Sequence, residues 1–199
     1  VAGVFVLAAL SACGSSDADP KSAPTTSPAI TSSPTAETTS PSPSSPSDAA
    51  TADATALVRS YFTVLDTVRS DPTSAVGRLS SVATSTQLTA DKRLVTRERS
   101  QGLHQTGVTS IADLVVQSVN LDNSDPPAGR VPTATIDVCW DVSGADLVDK
   151  TGASVVSSER VARGWTRYTV ANYHWSAKPS GGWRIASSQD LKQAPCAAS

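Results

Sequence analysis

The chain has 199 residues, a formal net charge of −2, three cysteines and no methionine. That length accommodates one domain with its own core beside a substantial unstructured segment. From Thr51 onward 15 basic residues meet 14 acidic ones, a balance that excludes an electrostatic case for nucleic-acid binding.

Residues 1–12, VAGVFVLAALSA, are uncharged and small or apolar, and at Cys13 the chain turns polar. The run has the length of a signal-peptide apolar region and is too short to cross about 30 Å of hydrocarbon as a helix. No positive segment precedes it, so the start is expected to lack a few residues. Leu10-Ser11-Ala12-Cys13 resembles the bacterial lipobox. That resemblance implies that residues 1–13 are a lipoprotein signal peptide and that Cys13 becomes an acylated mature N-terminus. Two or more acyl chains anchor a protein stably, where one does so marginally. With Cys13 taken by lipid, Cys139 and Cys196 remain as an even pair in an oxidising compartment, and a disulfide between them is expected. Closing a loop of 57 residues stabilises a fold by about 4 kcal/mol in the chain-entropy account.

Residues 14–50 are dominated by Ser, Thr, Pro and Ala, with no aromatic and Ile30 as the one large aliphatic, and hold 7 of the 13 prolines. Such a segment buries too little apolar surface to offset its ordering entropy and reads as a disordered linker. Its reach spans about 35 Å as a coil to about 110 Å as polyproline II.

Helical spacing follows. Leu57, Val58, Tyr61, Phe62, Leu65 and Val68 share a face, with Asp48 or Thr51 as the cap and Asp71-Pro72 as the stop. Thr73–Val82 reads as a shorter helix weakened by Gly77, and residues 90–104 as a third, closed by Gly107. The period then changes. Residues 111–121 read as a strand, and 131–143 alternate, with Ala134, Ile136, Val138 and Trp140 on one face and Asp137 and Cys139 on the other. Residues 158–175 form a third strand bent near Gly164, and 183–188 pair back after the turn at 178–182. Helices first and an antiparallel meander second make an α+β domain over 51–199, with helices packed on a curved sheet of about four strands.

The opening helix with Y-F-x-V-L-D, two small helices, four strands and the element Asp137-Val138-Cys139-Trp140-Asp141-Val142-Ser143 together resemble the nuclear transport factor two-like superfamily. Within it, the chain is similar to small actinobacterial lipoproteins with a SnoaL-like or ketosteroid-isomerase-like domain and a late cysteine. The resemblance implies a cone in which the sheet wraps a long helix, often around a pocket. Superfamily members include isomerases, cyclases, dehydratases and non-catalytic modules, so fold alone selects no activity.

Candidate chemistry is sparse. Asp137 and Asp141 lie about 13 Å apart along a strand, too far to share a proton, and Asp137 is placed to pair with Arg167. His174 is a candidate pocket acid or base, and His104 follows a helix whose C-terminus favours it. Trp140, Trp165, Tyr168, Tyr173, Trp175 and Trp183 serve core packing or line a pocket for a flat apolar ligand. Lys92, Arg93, Arg97 and Arg99, relieved by Asp91 and Glu98, form a basic helix face open to anionic wall polymer or lipid headgroups. No spacing matches a metal or phosphate motif, and no cofactor is expected. The expected function is that of a non-catalytic binding or assembly module. It is lipid-anchored at the extracytoplasmic face of the cell membrane, with an envelope protein, a small apolar ligand or a second copy of itself as partner. The alternatives are a pocket enzyme of the isomerase, cyclase or dehydratase type, using Asp137 or His174, and a carrier of an apolar ligand.

Overall fold

An amphipathic helix needs a surface to cover its apolar stripe, and a four-stranded antiparallel sheet provides it. The computed structural model describes residues 45–197. The apolar N-terminal run, Cys13 and the linker up to residue 44 lie outside those residues.

Helix α1 (Pro46–Ser70) begins within the stretch read as linker. Ser45 Oγ accepts from the Asp48 N–H, and the Asp48 carboxylate accepts from the Ser45 N–H, each at 3.1 Å. Pro46 at the first helical position lacks only an N–H that the helix leaves unpaired anyway. The cap is therefore Ser45, not Asp48 or Thr51, and the boundary expected at residue 50 falls five residues earlier. Asp71, extended at φ −110°, ends the helix ahead of Pro72 as expected.

The second expected helix contracts to a short 3₁₀ helix of six residues, Val76–Ser81. Gly77 and the adjacent serines favour no longer run. Its one fully buried side chain, Leu79, packs with Val68 and Val95 as a small satellite core. Helix α2 (Ser85–Ser100) starts and ends earlier than the 90–104 read from sequence. Gly102 at φ +71° stops it: the Leu103 N–H reaches back to the Glu98 carbonyl and the Gly102 N–H to that of Arg99.

The strands are β1 (His104–Gly107), β2 (Ser110–Asn120), β3 (Thr133–Asp141), β4 (Ala145–Val148), β5 (Arg163–Ala171) and β6 (Arg184–Leu191). The main sheet has the order β2-β3-β5-β6, and β1 and β4 form a separate antiparallel pair that the sequence reading missed. His104 consequently opens a strand opposite Val148 instead of trailing a helix. Gly107 (φ +69°) lies against the Gly144 carbonyl so closely that any Cβ would collide with it.

Strand β2 lacks clean alternation for a physical reason. Register shifts between Ile111 and Asp113 and between Val116 and Ser118 each add one residue. Ile111, Leu114, Val116 and Val119 thereby stay opposite Trp140, Val138, Ile136 and Ala134, on the face packed by the helices. The bend expected at Gly164 is absent. That glycine sits opposite Trp140, whose indole occupies the space a side chain would need, and the irregularity falls at Thr169/Val170. Strand β5 is shorter than the expected 158–175, because Asn172, wholly buried, turns the chain: its amide donates to the carbonyls of Lys178 and Pro179 and accepts from the His174 N–H.

The main core lies between sheet and helices. Val58, Tyr61 and Phe62 of α1 meet Ala134, Ile136 and Val138 of β3, Tyr168 and Val170 of β5, and Trp183 and Ile185 near β6. Tyr61, Phe62 and Tyr168 pack edge to face, with ring centroids 5.6–6.0 Å apart. The Ala83–Ile185 bridge, with hydrogen bonds from Ile185 N–H to Val82 and from Thr84 N–H to Ile185, covers the outer edge of β6.

Candidate functional site

The face of β3 turned away from the helices carries Asp137, Cys139 and Asp141, and β5 places Arg167, Trp165 and Arg163 opposite them in register. Arg167 grips Asp137 with two hydrogen bonds of 2.7 Å, the pairing the sequence suggested. Arg163 binds Asp141, whose other oxygen accepts from the Ser143 N–H at 2.7 Å. Those bonds, Ser143 first and Arg163 after it, hold the Asp141 carboxyl down at about 2. Between the ion pairs, Cys139 is joined to Cys196 in the expected disulfide, with Cα atoms 6.2 Å apart. The Asp-x-Cys-x-Asp element is thus a brace, in which two charged clamps flank a covalent staple holding the C-terminal segment.

Among the described residues, neither catalytic candidate lines one of the main concavities. Asp137 is engaged on both oxygens, and His174 occupies an exposed turn after Asn172. The aromatic residues divide. Trp140, Tyr168, Trp175 and Trp183 pack in or against the core, Trp165 lies opposite Cys139, and Tyr173 is exposed. Trp140 donates its indole N–H to Thr166 at 3.0 Å.

Titratable groups that the sequence reading passed over sit deeper. Asp91 is buried on the inner face of α2, and its Oδ1 accepts from the Tyr61 hydroxyl at 3.0 Å and the Gln87 amide at 2.8 Å. Its Oδ2 is buried without a hydrogen-bond partner in the protein. Burial pushes the Asp91 carboxyl up, against the opposing effect of the Gln87 and Tyr61 bonds. Burial raises the phenols of Tyr61 and Tyr168 as well. Helical spacing is the signal that marks this cluster: Gln87, Asp91 and Glu98 fall on the stripe of Leu88 and Val95. Counting Asp91 and Glu98 as relief for the basic run hid it.

A second site lies at the other flank of α1. Asp66, also buried, accepts from Gln105 Nε2 and the Thr109 N–H, each at 2.7 Å, and from the Thr109 hydroxyl at 3.0 Å. These bonds pin the β1–β2 link to α1. Beside them opens a concavity of about 450 Å³ with an apolar floor of Phe62 and Ile111, the exposed Val108 at its rim, and Arg59 and Thr63 on the helix wall. Arg59 forms no ion pair among the described residues.

The basic run on α2 splits by direction. Arg99 turns inward, and one of its terminal nitrogens donates to the carbonyls of Val68, Asp71 and Ser74 at the end of α1. Glu98 turns inward to a bidentate pair with Arg69. Lys92, Arg93 and Arg97 remain exposed. Among the described residues, no group of three or more His, Cys, Asp or Glu is placed to hold a metal ion, and no helix is long and apolar enough to cross a membrane.

No protein-family model matches the chain, and no curated protein matches it. Among solved structures it is similar to the intermembrane space region of the chloroplast protein ARC6, at 21% identity and a TM-score of 0.48, over 75% of this chain and 98% of that one.

Proposed function

We propose that the chain is a lipid-anchored, extracytoplasmic binding or assembly module whose body is a cone-shaped domain of the nuclear transport factor two-like, SnoaL-like kind. The observation that carries the non-catalytic part is the packing of the space between sheet and helices. Tyr61, Phe62, Ile136, Tyr168, Val170 and Trp183 fill it, and the concavity lined by Phe62 and Ile111 opens at the surface beside α1. The disulfide supports an oxidising, extracytoplasmic setting. The lipobox-like run at Leu10–Cys13 supports the anchor.

The concavity beside Val108 suits an envelope protein that presents an apolar side chain next to a carboxylate. Phe62, Ile111 and Val108 receive the first and Arg59 the second. A photoreactive residue in place of Val108, in the anchored protein in cells, is expected to give a discrete protein adduct. The same residue in place of the exposed Val161, which does not line the concavity, is the control. Adducts absent from position 108, or equal from both positions, overturn the assignment; a small-molecule adduct there favours the carrier reading. The anchor is tested separately: Cys13→Ser is expected to move the protein from the membrane fraction to the medium.

One observation favours a second reading, a pocket enzyme. Asp91 Oδ2 is buried and unpartnered beside Tyr61 and Tyr168. That reading requires a ligand to displace core side chains, and it fails if apolar ketones leave the Tyr61 and Tyr168 fluorescence unchanged.

A further inference from the structure

Helix α2 carries four cations and two carboxylates, and the fold sorts them. Both carboxylates point into the protein, Asp91 to Tyr61 and Glu98 to Arg69, and Arg99 is spent on the carbonyls that end α1. The outward stripe keeps only positive charge. Arg93 and Arg97 lie one turn apart, and Lys92, Thr96 and Ser100 form the adjacent row. Together these five side chains line a shallow concavity of about 420 Å³. Exposed acids on the same helix would normally soften such a patch; here burial has removed them.

We infer that this stripe rests on the anionic phospholipid headgroups of the bilayer to which the chain is anchored, an inference that depends on the acylation of Cys13 proposed above. Arginine binds phosphate oxygens through two parallel N–H donors, and lysine acts as a point charge. The hydroxyl of Thr96 sits between the cations, where it can donate to the same oxygens, while that of Ser100 donates to the Arg97 carbonyl. Each cation near an anionic leaflet strengthens association about fivefold, so the three together supply about a hundredfold. That is weak for a free protein. Taken as the coil that its composition implies, a segment of the 31 residues between Cys13 and Ser45 would extend about 30 Å, and tethering on that scale raises the local concentration to the millimolar range. The bilayer is the anionic surface closest to the tether, which favours lipid over wall polymer as the occupant.

The test uses the full chain carrying Cys13→Ser, so that no acyl group contributes, and follows backbone amide resonances. Dihexanoyl phosphatidylglycerol is expected to shift amides between Lys92 and Ser100 with millimolar saturation, and dihexanoyl phosphatidylcholine is not. Salt at 0.5 M weakens the response. The double substitution Arg93→Gln/Arg97→Gln is expected to weaken phosphatidylglycerol binding about 25-fold, from the same fivefold per charge, and to leave the urea midpoint unchanged. Equal shifts with both lipids, shifts confined to other surfaces, or an unaltered response in the double variant each overturn the inference. Binding of soluble poly(glycerol phosphate) at the stripe without binding of the lipid also overturns it. Failure here leaves the anchor itself standing, because the mass of the Cys13 peptide reports acylation independently.

Discussion

Asp91 shows how one buried carboxyl couples the fold to pH. Its folded-state value is raised by burial, so the native protein binds this proton more tightly than the unfolded chain does. Stability from this group is therefore full below the ordinary carboxylate range, about 4, and declines as pH rises through the raised value. Asp91→Asn keeps the shape and the acceptor for Tyr61 and removes the charge. Urea midpoints at pH 5 and pH 8 are expected to differ less in the variant than in the parent, and an equal difference would show that Asp91 does not titrate as described. Asp141 has the opposite sign. Its value of about 2 means that it stabilises above about 4 and that this contribution is lost as pH falls toward 2. Asp141→Asn should flatten the acid limb of the stability curve. At this scale the sequence was partly legible. The Asp137–Arg167 pair could be read from strand register, because opposite charges on neighbouring strands meet directly. Asp91 was missed because an acid among cations looks like surface neutralisation until the helix is set against its apolar stripe.

At the level of elements, α1 and α2 are tied by side chains that reach for backbone. Arg99 reaches three carbonyls at and beyond the end of α1, among them that of Val68 in the last turn, where a helix leaves its carbonyls without intrahelical partners. Arg99→Gln is expected to cost about 2 kcal/mol, in the range for charge-assisted hydrogen bonds, read as a lowered urea midpoint. The opposite end of α1 depends on Ser45, and Ser45→Ala should cost about 1 kcal/mol, with faster amide exchange confined to the first turn. The main helices and strands were legible because their periods are strong: α1 shows a 3.6-residue stripe and β3 a two-residue alternation. The short pairing of β1 with β4 was not, since four residues carry no period and the contact joins positions 38 apart at Gly107↔Ala145 and 44 apart at His104↔Val148. The bulges of β2 blurred alternation for a similar reason. Each inserted residue resets the phase, and only the partner strand reveals it.

Over the whole molecule, the sheet has two unlike faces. One is roofed by the helices and filled with apolar side chains; the other is held by ion pairs and a disulfide. Removing the bridge with Cys139→Ser/Cys196→Ser is expected to lower stability by about 4 kcal/mol, and limited proteolysis should then release the segment after Leu191 while the body stays intact. The disulfide was legible once the lipobox resemblance set Cys13 aside and left an even pair, whereas its place between two ion pairs required the pairing of β3 with β5.

That bridge also sets a schedule. Polypeptides emerge amino end first, from a ribosome or from a translocation pore, so Cys139 comes out 57 residues ahead of its mate. Throughout that interval its sulfhydryl is unmated, and β5 and β6 must follow before the second sulfur arrives. The correct bond can therefore close only after β5 and β6 have emerged, and an oxidant acting earlier would find only the wrong companions for that thiol.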